Sequence, residues 1–74
     1  MSYFDTQYET MKGYVEDIVF RNVDNGYCVI YVNADDVLQC AVGVFPPIEV
    51  GEYLEMHGNF TVNSKFGEQF NVKE

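Results

Sequence analysis

One histidine, two cysteines and twelve carboxylates are the side chains of this 74-residue sequence best suited to act as bases, nucleophiles or metal ligands. Nucleophilic catalysis needs a hydroxyl or thiol activated by a nearby base. His57 is the sole histidine, and it falls on the polar side of an alternating run, where a surface role is expected. Metal sites need His, Cys or carboxylate ligands in clusters. His57 has no near neighbour of that kind, and Asp35-Asp36 reads as a turn. Cys28 and Cys40 each sit in an apolar run, as buried thiols do. Facing strands would also permit a disulfide, but two cysteines without a secretory context are weak grounds for one. The glycines at 13, 26, 43, 51, 58 and 67 nowhere space out the GxxxxGK[ST] loop that cradles phosphates, which excludes ATP binding by this chain. Neither a catalytic residue nor a bound cofactor or metal is expected here.

Binding remains. Single-stranded nucleic acid is held by aromatic faces that stack bases and by cations that neutralise phosphates. The candidates are Arg21 and Asn25, with Asn22, in one turn-forming stretch; Tyr27 and Tyr31 in the run after it; and Lys65 and Phe66 in a later turn. A structural role competes for each. Tyr27 and Tyr31 can cap the core or lie under the N-terminal arm, and Lys65-Phe66 can be an ordinary turn with a tucked-in ring. The charge points away from DNA: four basic residues against twelve acidic ones give −8 and a pI near 4.2. Nucleic-acid binders draw most of their affinity from Lys and Arg, whereas acidic surfaces keep small apolar domains soluble.

The elements that must position these residues are short and β-rich. With 47% hydrophobic residues, six Tyr and six Phe, the chain is too apolar to be a disordered tail and too short for two cores. No run approaches the ~20 apolar residues of a membrane span, and the N-terminus lacks the basic and apolar parts of a secretory signal. A cytoplasmic protein without membrane contact is expected. Residues 1–10 read as a flexible acidic arm, with Tyr3, Phe4 and Tyr8 available to dock, and residues 11–74 as the domain.

In the first run, residues 11–22, the apolar parity changes at Glu16-Asp17. A bulge there would turn Gly13, Val15, Ile18 and Phe20 all inward. Asn25-Gly26 is a hairpin signal. Residues 27–33 and 37–44 follow, joined through Ala34-Asp35-Asp36. Cys28, Ile30 and Val32 form the apolar face of one run, with Leu38, Cys40, Val42 and Val44 that of the other. Paired prolines make residues 45–51 a connection. The fourth run alternates most cleanly: Leu54, Met56, Gly58, Phe60 and Val62 lie opposite Tyr53, Glu55, His57, Asn59 and Thr61. Gly58 there marks a bend or a close backbone approach. A turn at residues 63–67 leads to a last strand, residues 68–72, with Phe70 and Val72 inward. The sum is an all-β, five-stranded Greek-key OB-type barrel with a short loop in place of the inter-strand helix. An SH3-like barrel is the competing arrangement.

Three segments, GYVEDIVFRNVDNGYCVIYV, AVGVFPPIEVGEYLEMHGNF and SKFGEQFNV, together resemble the N-terminal OB domain of bacterial RecD-like ATP-dependent DNA helicases, relatives of the exodeoxyribonuclease V alpha subunit. The resemblance runs from Met11 to about Lys73. It implies a parent superfamily 1 helicase moving 5′ to 3′ in DNA repair and recombination, with ATP and magnesium serving motor domains of the same polypeptide. It carries no catalytic residue onto this chain. Two functions are then open: an accessory module making weak contact with single-stranded DNA through Arg21, Asn25, Tyr27, Tyr31, Lys65 and Phe66, or a protein-interaction or scaffold domain without nucleic-acid contact. Convergence of Arg21 and Lys65 on one face would favour the first.

Overall fold

The computed structural model describes residues 8–65 and 67–73. Five strands follow one another: β1 (Glu9–Arg21), β2 (Tyr27–Ala34), β3 (Val37–Val44), β4 (Tyr53–Asn63) and β5 (Gly67–Val72). They close into a barrel in the order β1-β2-β3-β5-β4, antiparallel throughout except for the parallel pair β3–β5. This is the OB arrangement expected from the sequence, and residues 45–52 contain no helix. No helix among the described residues is long and apolar enough to cross a membrane.

Closure depends on β1 serving two neighbours. Its first half pairs with β4, from Glu9↔Gly58 to Tyr14↔Tyr53, and its second half pairs with β2, from Tyr14↔Asn33 to Arg21↔Cys28. Glu9 and Thr10, read from sequence as part of the arm, therefore belong to the barrel. Their side chains are exposed, so no apolar alternation marks them, but their backbones pair with Gly58 and His57. The arm's first seven residues, including Tyr3 and Phe4, lie outside the described residues.

The register of β1 slips twice. Val15 pairs with Val32 and Asp17 with Tyr31, leaving Glu16 as the extra residue of the expected bulge. A second slip leaves Val19 extra, between Ile18↔Ile30 and Phe20↔Val29. It reverses the parity again. Phe20, expected inward, instead points outward and is 51% exposed, while Arg21 moves to the inner side opposite buried Cys28.

The third strand also departs from the sequence reading. Asp35 and Asp36 both have positive φ, 54° and 66°, and form a two-residue turn that sets Ala34 opposite Val37. Counting from that pair puts Gln39, Ala41 and Gly43 opposite Val32, Ile30 and Cys28. The inner side of β3 is thus its small and polar side, and Leu38, Cys40, Val42 and Val44 lie outside. A one-residue change of register exchanges the faces of a strand, and here the turn decides the register against the apolar alternation.

The core joins Met11, Val15, Cys28, Ile30, Val32, Ala41, Met56 and Phe70 with Phe45 and Ile48. The last two come from the β3–β4 connection, which the sequence reading treated as a plain linker. Phe60 meets Phe70 edge-on, ring centroids 4.9 Å apart. Val62 keeps the inner parity of β4 yet is 82% exposed, because β4 there pairs with β5 alone and overhangs the barrel.

Gly58 lies between Glu9 of β1 and Val72 of β5. A Cβ at this position would collide with the carbonyl oxygen of Asn71, which is backbone and cannot turn aside. Gly58→Ala should therefore cost about 3 kcal/mol, as core overpacking does, and lower the midpoint of thermal unfolding by roughly 10–20 °C. Gly51 has open space around it and only a positive φ of 99° to object to a side chain. Gly51→Ala should cost about 1 kcal/mol. Circular dichroism melts of the two variants test the difference.

Candidate functional site

The two reversals just described give the barrel an apolar outer face. Phe20, Tyr27, Val29 and Tyr31 share it with Leu38, Cys40, Val42 and Val44. Tyr27 and Tyr31 stand outward as the sequence parity requires, each a little over one third exposed. Phe20 and Tyr27 lie side by side, ring centroids 6.4 Å apart. Val42, in register with Val29 and Asn71, is buried although it lies on the outside. Leu38 and Val44 remain more than half exposed.

The cations expected to flank these aromatics are elsewhere. The second bulge aims Arg21 across the end of the barrel, where Nη2 donates to the carbonyl of Ile48 and Nη1 lies 3.9 Å from Glu49 Oε2. Arg21 thus fastens the connection that carries the core plug. Asn25 is occupied by its own turn: its Oδ1 accepts the N–H of Tyr27 at 2.9 Å, as Asn22 Oδ1 accepts that of Asp24 at 2.9 Å. Gly26, with φ 80°, completes that turn. The backbone N–H of Lys65 donates to Asn63 Oδ1 at 2.7 Å in the β4–β5 turn. Phe66, its expected partner, lies outside the described residues.

Strand direction separates the two loops. Because β5 runs parallel to β3, the turn that enters β5 lies toward the end where β2 passes into β3. Arg21 lies at the other end, where β1 passes into β2. Lys12 stands opposite Glu55, and Lys73 follows β5 with its N–H donating to the carbonyl of His57 at 2.7 Å. The four basic residues do not converge.

His57 belongs to a polar surface group: Nδ1 lies 3.2 Å from Thr10 Oγ1 and Nε2 lies 3.4 Å from Glu55 Oε2. No cluster of three metal-binding side chains occurs among the described residues. Both cysteines are free thiols. Cys28 faces the core and Cys40 the outside, on opposite sides of the β2–β3 sheet, so they cannot join. Sequence reasoning missed Phe20, Leu38 and Val44 as surface residues. Counting outward from a two-residue Asp35-Asp36 turn was the signal that would have found the two on β3.

A family model for the OB-fold domain of the ATP-dependent DNA helicase YrrC matches residues 8–74. No curated protein and no solved structure matches.

Burial raises the thiol pKa of Cys40, and a hydrogen bond with the Gln69 side chain opposes the shift without cancelling it. In the folded domain Cys40 should react with a disulfide reagent at pH 8 several-fold more slowly than a free peptide thiol. Its rate should still be climbing at a pH where the peptide's has levelled. The folded chain holds this proton more tightly than the unfolded one. The corresponding stability is therefore complete below the ordinary thiol range and is lost as pH rises through the folded value. Cys28 should stay unmodified until unfolding. Timed labelling with mass spectrometry reads both sites.

Proposed function

Since the chain belongs to the family of OB-fold domains of the ATP-dependent DNA helicase YrrC, we propose that it is an accessory domain that docks on the motor domains of such a helicase. Docking uses the outer face of β2 and β3 with the end of β1. The observation that carries this reading is the composition of that face: Phe20, Tyr27, Tyr31, Leu38 and Val44 are exposed together, and none of the other strand residues that share the face with them is Lys or Arg. Protein interfaces are built around apolar and aromatic centres from which charge is depleted, and a small domain rarely exposes so much apolar surface without a use for it. The net charge of −8 repels phosphate at the same time.

On this reading ATP and magnesium serve the motor domains, and this domain is not itself an enzyme. The parent helicase works on DNA in the cytoplasm, in repair and recombination of the exodeoxyribonuclease V kind. A second reading has one observation in its favour. Phe20, Tyr27 and Tyr31 offer ring faces on the side of the barrel where OB folds take oligonucleotides, which suits stacking of single-stranded DNA. Without converging cations the contact is weak.

The test has two arms. Fluorescence anisotropy of labelled single-stranded DNA at low salt should change little, even at high micromolar domain. The motor portion of a YrrC-type helicase, freed of its own OB domain, should bind this domain, and Tyr27→Ser/Val44→Ser should weaken that association about tenfold or more. Tight, steeply salt-dependent DNA binding that Phe20→Ser/Tyr27→Ser removes would overturn docking in favour of the second reading.

A further inference from the structure

A different surface lies toward the end of the barrel where β2 turns into β3. There an open groove of about 1180 Å³ runs over β1, β4 and the Asp35-Asp36 turn. It contains none of Phe20, Tyr27, Tyr31 and Val44. Half-buried Phe60 lines it, and its exposed aromatic element is a pair. Tyr14 and Tyr53 face each other across β1 and β4 with ring centroids 4.9 Å apart and planes at 66°, and each is 56% exposed. Four carboxylates line the same groove, those of Glu16, Asp35, Asp36 and Glu55. Among the described residues the one cation in the lining is Lys12, which stands in register with Glu55.

The turn adds to this imbalance in a way its geometry does not require. A two-residue turn with both φ values positive is best served by Asn-Gly. Here it carries two adjacent aspartates, whose like charges repel, and both are exposed at the groove. Exposed tyrosine rings attract ammonium and guanidinium groups through their faces. Guanidinium also pairs with carboxylates in a planar fork. A groove that combines two exposed rings with four carboxylates is complementary to one class of partner. Nucleic acid is excluded from it by the same carboxylates.

We infer that this groove binds an extended, arginine- or lysine-rich segment of polypeptide. Basic side chains lie over Tyr14 and Tyr53 and pair with Asp35, Asp36, Glu16 and Glu55. The site is independent of docking through the outer face. An acidic domain attracts any basic peptide diffusely, so the experiment must separate the groove from net charge.

A short peptide alternating arginine and glycine is titrated into the isotopically labelled chain at low salt, and amide shifts are followed. They should saturate and be confined to the residues around Tyr14, Asp35, Asp36 and Tyr53. Asp35→Asn/Asp36→Asn removes two charges while suiting the positive-φ turn, and should weaken binding about tenfold. Asp17→Asn/Asp24→Asn removes two charges outside the groove and should weaken it less than about threefold. Equal losses in the two double variants, or shifts scattered over the barrel, would overturn the inference. So would a single-stranded oligonucleotide that moves the same amides.

Discussion

At Tyr14 the backbone of β1 is in register with Asn33 of β2 on one side and Tyr53 of β4 on the other. A barrel of five short strands has no spare strand to cover its edges, and an uncovered edge leaves N–H and C=O groups without partners. One strand must therefore pair twice along its length. To do so it bends, and the bend needs room. Gly13 is next to the shared residue, and a Cβ on it would strike the carbonyl oxygen of Asn33. Gly58 plays the same part where β4 passes between β1 and β5. The two bulges in β1 supply the remaining curvature, since each extra residue increases the local twist. The core and the orientation of the outer face follow from this sharing.

The interior and the exterior divide the aromatic residues between them. Phe45, Phe60 and Phe70 serve the core, with Phe70 fully enclosed. Tyr14, Tyr27, Tyr31 and Tyr53 all stand outside and at least partly exposed. A tyrosine brings apolar area and a polar tip, so it tolerates water while remaining attractive to a partner. The cations are spent differently. Arg21 is engaged by the loop it fastens, and the described lysines are spread over separate elements. The exterior therefore offers rings and carboxylates, with little positive charge near the rings.

Much of the fold could be read from the residues. The Asn25-Gly26 turn, the alternation of β4, the close approach at Gly58 and the inward Phe70 all lie in local patterns whose physical meaning is short-range. The failures came where a long-range count overrode a local preference. Leu38, Cys40, Val42 and Val44 look like an inner face because they are more apolar than Gln39, Ala41 and Gly43, yet the hairpin turn sets the register and puts the second set inside. The extra Val19 has no marker in sequence, so the residues put Phe20 on the wrong side and Arg21 in the turn, where β1 in fact extends to Arg21. The candidate site shared this fate. Tyr27 and Tyr31 were found where parity put them, but Arg21 and Asn25 were claimed by local structure that parity does not reveal.

The bulge at Val19 makes register, rather than residue identity, the variable that assigns Phe20 and Arg21 their work. Were the strand regular at this point, Val19 would pair with Val29, Phe20 would turn into the barrel and Arg21 would emerge beside Tyr27. The loop of residues 45–51 would lose its fastening, and the outer face would acquire its first positive charge. The same letters in the same order would then describe a surface of opposite appetite. Among homologous barrels, the presence or absence of a bulge at this point of β1 is thus a sharper guide to what the outer face accepts than any substitution on the face itself.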